Sequence, residues 1–184
     1  MLTTEKTRSR NRKDARGNGF TLIELLIVVA IILIIAAIAI PNYLSAKISA
    51  NQASAAESVR TITSASVVYS TTYGNGYAPS LAALGGTVAP PSCNGALLLD
   101  PNVSTAPNQK TGYQFTYTPQ GPTIASPPPG CVPGYLQYLV TATPLSVVTG
   151  TDSYCSDEPG TIHYSTVGAA IATPAACEAL PVLQ

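Results

Sequence analysis

Glu24 is the one charged residue among residues 20–40, a run of 21 residues of which 19 are apolar. An ionised carboxylate at bilayer depth is costly, so a residue of this kind is as a rule functional and has a partner. The bland alternative is a carboxyl near the interface that snorkels or takes up a proton. Four cysteines, Cys93, Cys131, Cys155 and Cys177, all follow the apolar run. An even number suits an oxidising compartment. Joined as neighbours, Cys93 with Cys131 and Cys155 with Cys177, they would close loops of about 39 and 23 residues, each adding about 3–4 kcal/mol. All three pairings stay open at this level. No CxxC spacing occurs and His163 is the single histidine, so a zinc site lacks ligands and His163 reads as a residue of a sheet hairpin. Seryl and threonyl groups are plentiful, but one histidine and no nucleophile motif argue against hydrolytic chemistry. Gly17-Asn18-Gly19 precedes the apolar run rather than following a strand, so it is not a dinucleotide loop. Asp152, Asp157 and Glu158 carry the oxygen ligands that calcium takes. They lack EF-hand spacing, and a solvated turn is the favoured account of them.

The elements that position these residues follow from how charge and apolarity are distributed. The chain has 184 residues, is 46% hydrophobic and 10% charged, and has no formal net charge. Charged residues usually make up about a quarter of a globular chain. With 16 Pro and 14 Gly, that composition excludes a coiled coil, a charged disordered tail and a compact helical bundle. The neutrality is an average. Residues 1–19 hold six cations and two anions, and the remainder holds three cations and seven anions. A helix over residues 20–40 would be about 30 Å long, the thickness of a bilayer's hydrocarbon core. The basic segment before it stays cytoplasmic, which places the following block across the membrane. The run is too long for the apolar core of an ordinary secretion signal, and Pro41-Asn42-Tyr43 is a poor cleavage exit.

Gly17-Asn18-Gly19-Phe20-Thr21-Leu22-Ile23-Glu24, continued by the apolar run and closed by Pro41, resembles the prepilin processing signature of type IV pilins and of the pseudopilins of type II secretion. The resemblance is close over residues 17–46 and covers the rest only in outline. It implies cleavage between Gly19 and Phe20 by a membrane aspartyl protease, the prepilin peptidase, and N-methylation of Phe20. Gly19 has no side chain and lets a protease approach the backbone closely. Cutting there would remove the basic leader and expose an amine one helical turn from Glu24. The resemblance assigns Glu24 to assembly, paired with the terminus of a neighbouring subunit, since a paired charge fixes register. Pro41 lacks an N–H and should kink or loosen the helix. Leu33 departs from the pattern, because many members carry Gly there and Leu is a strong helix former. Major pseudopilins use a calcium-bearing loop near their sheet, the case Asp152, Asp157 and Glu158 would match. The expectation remains a protein without a cofactor.

Beyond Pro41 an apolar stripe of Leu44, Ile48, Ala55, Val59, Ile62 and Tyr69 at spacings of three, four or seven predicts a continuing amphipathic helix whose face packs on a sheet. Tyr73-Gly74-Asn75-Gly76-Tyr77 should end it. Residues 78–111 read as loop, with a helical turn at residues 80–84. Alternation of Tyr113, Phe115 and Tyr117 predicts a strand. Residues 127–130 (Pro-Pro-Pro-Gly) break the chain, and 135–142 read as a second strand. Residues 151–155 and 161–166 would flank a hairpin turn at 156–160. The ten tyrosines should cover the helix–sheet core and the sheet edges.

The expected organisation is a leader over 1–19, a membrane and assembly helix over 20–43, an amphipathic half-helix over 44–72, a connection over 73–111, and a disulfide-bearing antiparallel sheet over 112–184. The fold class is α+β, and its outline resembles the pilin fold. The resemblance implies a structural subunit of a type IV pilus, not an enzyme. Its partners would be identical or related pilin subunits, the peptidase, an assembly platform and the membrane, with no nucleic acid. It would be made at the bacterial inner membrane and end in an extracellular filament. The rivals are a pseudopilin of type II secretion and a single-pass membrane-anchored binding protein. The rivals differ in whether the leader is removed and in whether the chain enters a surface filament.

Overall fold

The computed structural model describes residues 20–183. The chain divides into two compact units at Pro41–Asn42. In the first unit, helix α1 (Leu22–Tyr73) begins and remains helical through Leu33 and Pro41. Its apolar side chains are exposed throughout, from Phe20 at 84% to Ile40 at 57%. None of its described residues is buried, so lipid or other protein must cover this apolar surface.

In the second unit, α1 turns one face to the sheet. Ala55, Val59, Ile62, Ser66 and Tyr69 have no exposed surface, and their steps of four and three residues trace one side of an α-helix. The expected stripe is thus buried from Ala55 onward. Leu44 stays 48% exposed and Ile48 is half-buried, because the first sheet-side anchors on the helix are Asn51 and Gln52. Asn51 Nδ2 donates to Thr149 O (2.9 Å) and Gln52 Nε2 to Thr151 Oγ1 (2.9 Å). The polar Ser66 is tolerated in the core because its hydroxyl donates to Ile62 O one turn back (2.9 Å).

The sheet has five antiparallel strands in chain order: β1 (Gln109–Lys110), β2 (Tyr113–Thr123), β3 (Tyr135–Pro144), β4 (Ser153–Asp157) and β5 (Ile162–Ser165). Its inner face carries Tyr113, Phe115, Tyr138, Val140, Ala142, Tyr154 and Ile162, all in one core with the helix. Most of the tyrosines form this layer: Tyr117 stacks on Tyr138 (centroids 5.4 Å apart) and Tyr77 tilts against Tyr138 (4.7 Å). Burial in the same layer raises the Tyr154 phenol to about 12. The architecture is α+β, a long N-terminal helix packed against an antiparallel sheet.

Three local differences from the sequence reading have clear causes. Besides the expected helical turn, α2 (Leu81–Leu84), the 73–111 connection contains α3 (Pro101–Ser104) and β1. Asp100 caps α3 by accepting from Asn102 N (2.8 Å), with Pro101 in the first turn, a start signal compressed into a helix too short to show periodicity. Strand β2 runs on through Pro119 and Pro122. Phe115 N–H points outward to Asn108 O (2.9 Å), so two-residue alternation turns the nitrogen of Pro119 to the open edge, where no donor is missed. Ser156 and Asp157 belong to β4 rather than to the turn and are buried. The turn itself is Glu158-Pro159-Gly160, closed by Gly160 N donating to Asp157 O (2.9 Å), with Gly160 at φ +78°.

Candidate functional site

The N-terminus of α1 is built by two side chains that answer each other. Thr21 donates to Glu24 Oε2 from its backbone nitrogen (3.0 Å) and from its hydroxyl (2.7 Å), while Glu24 N–H donates to Thr21 Oγ1 (3.3 Å). This is a reciprocal capping box, which satisfies donors that a helix start otherwise leaves bare. Thr21 is the residue that functional reasoning passed over. The T-x-x-E spacing at 21–24 is its signal in the sequence. Glu24 therefore has a partner within its own chain and still stands in an uncovered apolar surface. Leu22 and Ile23 beside it are 82% and 65% exposed. Phe20 precedes the helix, and its ring is 84% exposed. Gly19 and the residues before it lie outside the described residues. The helix is long and apolar enough to cross a membrane, and the apolar stretch that qualifies it is unburied.

The cysteines form two bridges, Cys93–Cys131 and Cys155–Cys177. The first ties the α2–α3 connection to the approach to β3, and Tyr69 OH donates to Cys93 O from the helix (2.8 Å). The second ties β4 to α4 (Pro174–Glu178). His163 on β5 contacts Leu180 O through Nδ1 (2.7 Å), a structural role in keeping with a hairpin residue.

Asp152 does not converge with Asp157 and Glu158, which lie at the other end of β4. Asp152 precedes β4, with its Oδ1 accepting from Thr151 Oγ1 (3.0 Å) and its backbone oxygen accepting from Tyr113 OH (2.9 Å). Asp157 and Glu158 stand at the far end of the same strand, about 15 Å along an extended chain. Among the described residues, no group of three or more His, Cys, Asp or Glu side chains is placed to hold a metal ion. Asp157 is only 1% exposed, and neither of its carboxylate oxygens has a hydrogen-bond partner. Burial raises its pKa first, then the nearby Glu178 and Glu158. A carboxyl raised in this way favours the fold when protonated. Its contribution is complete below the unfolded value near 4 and is lost as pH rises through the folded value. The expected result is that Asp157→Asn melts higher than the unsubstituted chain at pH 7, with the gap closing towards pH 4. Parallel thermal melts across that range would show it.

A family profile described as the prokaryotic N-terminal methylation motif matches residues 15–40. Over 52 residues the chain is 48% identical to the type IV major pilin protein PilA of Myxococcus xanthus (strain DK1622), a match covering 28% of this chain and 24% of that protein. The chain thus spans about a quarter of the length of the curated relative it matches. No solved structure matches it.

Proposed function

We propose that this chain is a structural pilus subunit of the type IV pilin kind, made as a membrane precursor and polymerised through α1. The observation that carries the reading is the conjunction of the methylation motif over residues 15–40 with an apolar helix that has no cover of its own. In the precursor the basic leader holds the cytoplasmic side, and the cystine-bearing unit lies in the oxidising space beyond the membrane. Hydrolysis of the Gly19–Phe20 bond by the prepilin peptidase adds water across the peptide, leaving a carboxylate on Gly19 and an amine on Phe20. Transfer of a methyl group to that amine from a methylsulfonium donor, which leaves as the thioether while the amine loses a proton, completes maturation. Loss of the leader removes the charges that anchor the chain to the cytoplasmic face, while the helix stays apolar enough to remain in lipid or to move into a filament. In the filament, neighbouring copies of α1 supply the cover that residues 20–40 lack. The Glu24 carboxylate then meets the new amine of a neighbouring subunit, and that pair sets the axial register.

Mass spectrometry of sheared surface filaments tests this directly. The expected finding is a peptide beginning with N-methyl-Phe20. Well-expressed protein with an intact leader, absent from any filament, would overturn it. Gly19→Ala should accumulate as full-length precursor, because a methyl group at the junction obstructs close approach of the protease to the backbone. Immunoblots of membrane fractions would resolve the 19-residue difference.

A further inference from the structure

The outer face of the sheet carries a second, much smaller core. Leu139 on β3, Cys155 on β4 and Cys177 on α4 are buried together, with Ile171 and Leu180 packed around them. The cover over this face is the C-terminal segment. It reaches β5 through a short antiparallel contact, in which Tyr164 N–H donates to Pro181 O (3.0 Å) and Leu183 N–H donates to Ile162 O (2.8 Å). His163 Nδ1 adds the contact to Leu180 O. Besides this small cluster and a few main-chain bonds, the segment is held by Leu183 alone against the edge of the main core, which is limited adhesion for a segment that must also be ordered.

Asp157 works against the closure. It pairs in register with Leu139 and alternates with Cys155, which puts its side chain on the covered face. Glu178 of α4, Glu158 of the β4–β5 turn and His163 of β5 are the charged or titratable groups around it. Two of the three repel a carboxylate, and His163 already spends Nδ1 on Leu180. A buried carboxyl with neither oxygen bonded is costly in either protonation state, and far more so when ionised. Opening the cover would return it to water.

We propose that the C-terminal segment is a latch held shut by the Cys155–Cys177 bridge against the pull of Asp157, and that without the bridge it lifts from the sheet as a separate unit. This goes beyond the pilus reading and does not depend on it. Lifting would leave the outer edge of β5, at Ile162 and Tyr164, without its partner and open to pairing with another chain.

Amide hydrogen exchange on the full chain in detergent micelles tests the latch, read at Tyr164 and Leu183, whose N–H groups close it. In Cys155→Ala/Cys177→Ala, with Cys93–Cys131 intact, exchange at these two amides should rise about 100-fold, while β2–β3 amides change less than about threefold. Adding Asp157→Asn should recover about tenfold of the protection, because the amide keeps the shape and removes the charge. Unchanged protection in the bridge-free variant would overturn the proposal. So would equal loss at β2–β3, which would make the segment inseparable from the domain. So would no recovery on adding Asp157→Asn.

Discussion

Glu24→Gln should be processed normally and yield roughly 100-fold fewer filaments, the penalty expected when one member of a desolvated charge pair is removed. Gln is chosen because it preserves the local role. Its carbonyl oxygen can accept from Thr21 N and Thr21 Oγ1 as Oε2 does at 3.0 and 2.7 Å, so the capping box survives while the negative charge goes. The two roles of Glu24 thereby separate. If the carboxylate served only to start its own helix, Glu24→Gln would assemble like the unsubstituted chain. If it answers the amine of a neighbouring subunit, the neutral amide cannot replace it. Glu24→Val removes both roles and should also fail to assemble while still being cut, since the cleaved bond lies five residues earlier. Electron microscopy of sheared material, paired with immunoblots for leader removal, reads both outcomes. Full piliation of Glu24→Gln would leave the capping box as the whole function of this residue.

Gly134→Ala should unfold the C-terminal unit at a markedly lower temperature. A Cβ at this position would fall on Asn75 O and stand 2.5 Å from Tyr77 O. Both are backbone atoms and neither can step aside alone. Tyr77 is locked by exchanging two main-chain bonds with Tyr135 (2.8 and 3.0 Å). Asn75 is fully buried, donates to Val132 O (2.8 Å) and accepts from Gly134 N (3.3 Å). The clash thus strikes the joint where the end of α1 is tied to the start of β3. Overpacking of this kind costs about 3 kcal/mol, a fall in melting temperature on the order of 10 °C for a unit of this size. Gly74→Ala is the control. Gly74 also sits at the helix end, at φ +58°, but nothing lies within 4 Å of its added Cβ. Its cost should stay near the 1–2 kcal/mol of a left-handed residue. Circular dichroism melts of both variants would rank them; equal stability would refute the joint.

The parts of this protein legible from sequence are those set by local periodicity. Ala55, Val59, Ile62 and Tyr69 announced their shared face because an α-helix brings every third or fourth residue round to one side. The Tyr113–Phe115–Tyr117 alternation announced a strand for the equivalent reason. What periodicity could not supply is where the partner surface ends. Leu44 and Ile48 fit the stripe as well as Val59 does, yet Leu44 stays exposed and Ile48 is only half-buried. Asp157 was illegible for a related reason. A polar residue beside Glu-Pro-Gly looks like a turn, and only its pairing with Leu139 and the covering by α4 make it a buried strand residue.

By itself, then, the amino-acid sequence determined the apolar run of membrane length, its N-terminal motif, the α+β class and the even set of cysteines, all of which depend on neighbours in the chain. The tertiary structure alone decided which cysteines join, where the helix meets the sheet, and that a lone carboxyl is sealed beneath the C-terminal segment. Those outcomes depend on which distant segments come into contact, and a contact between residues 22 or 38 positions apart leaves no mark on the local pattern of either one.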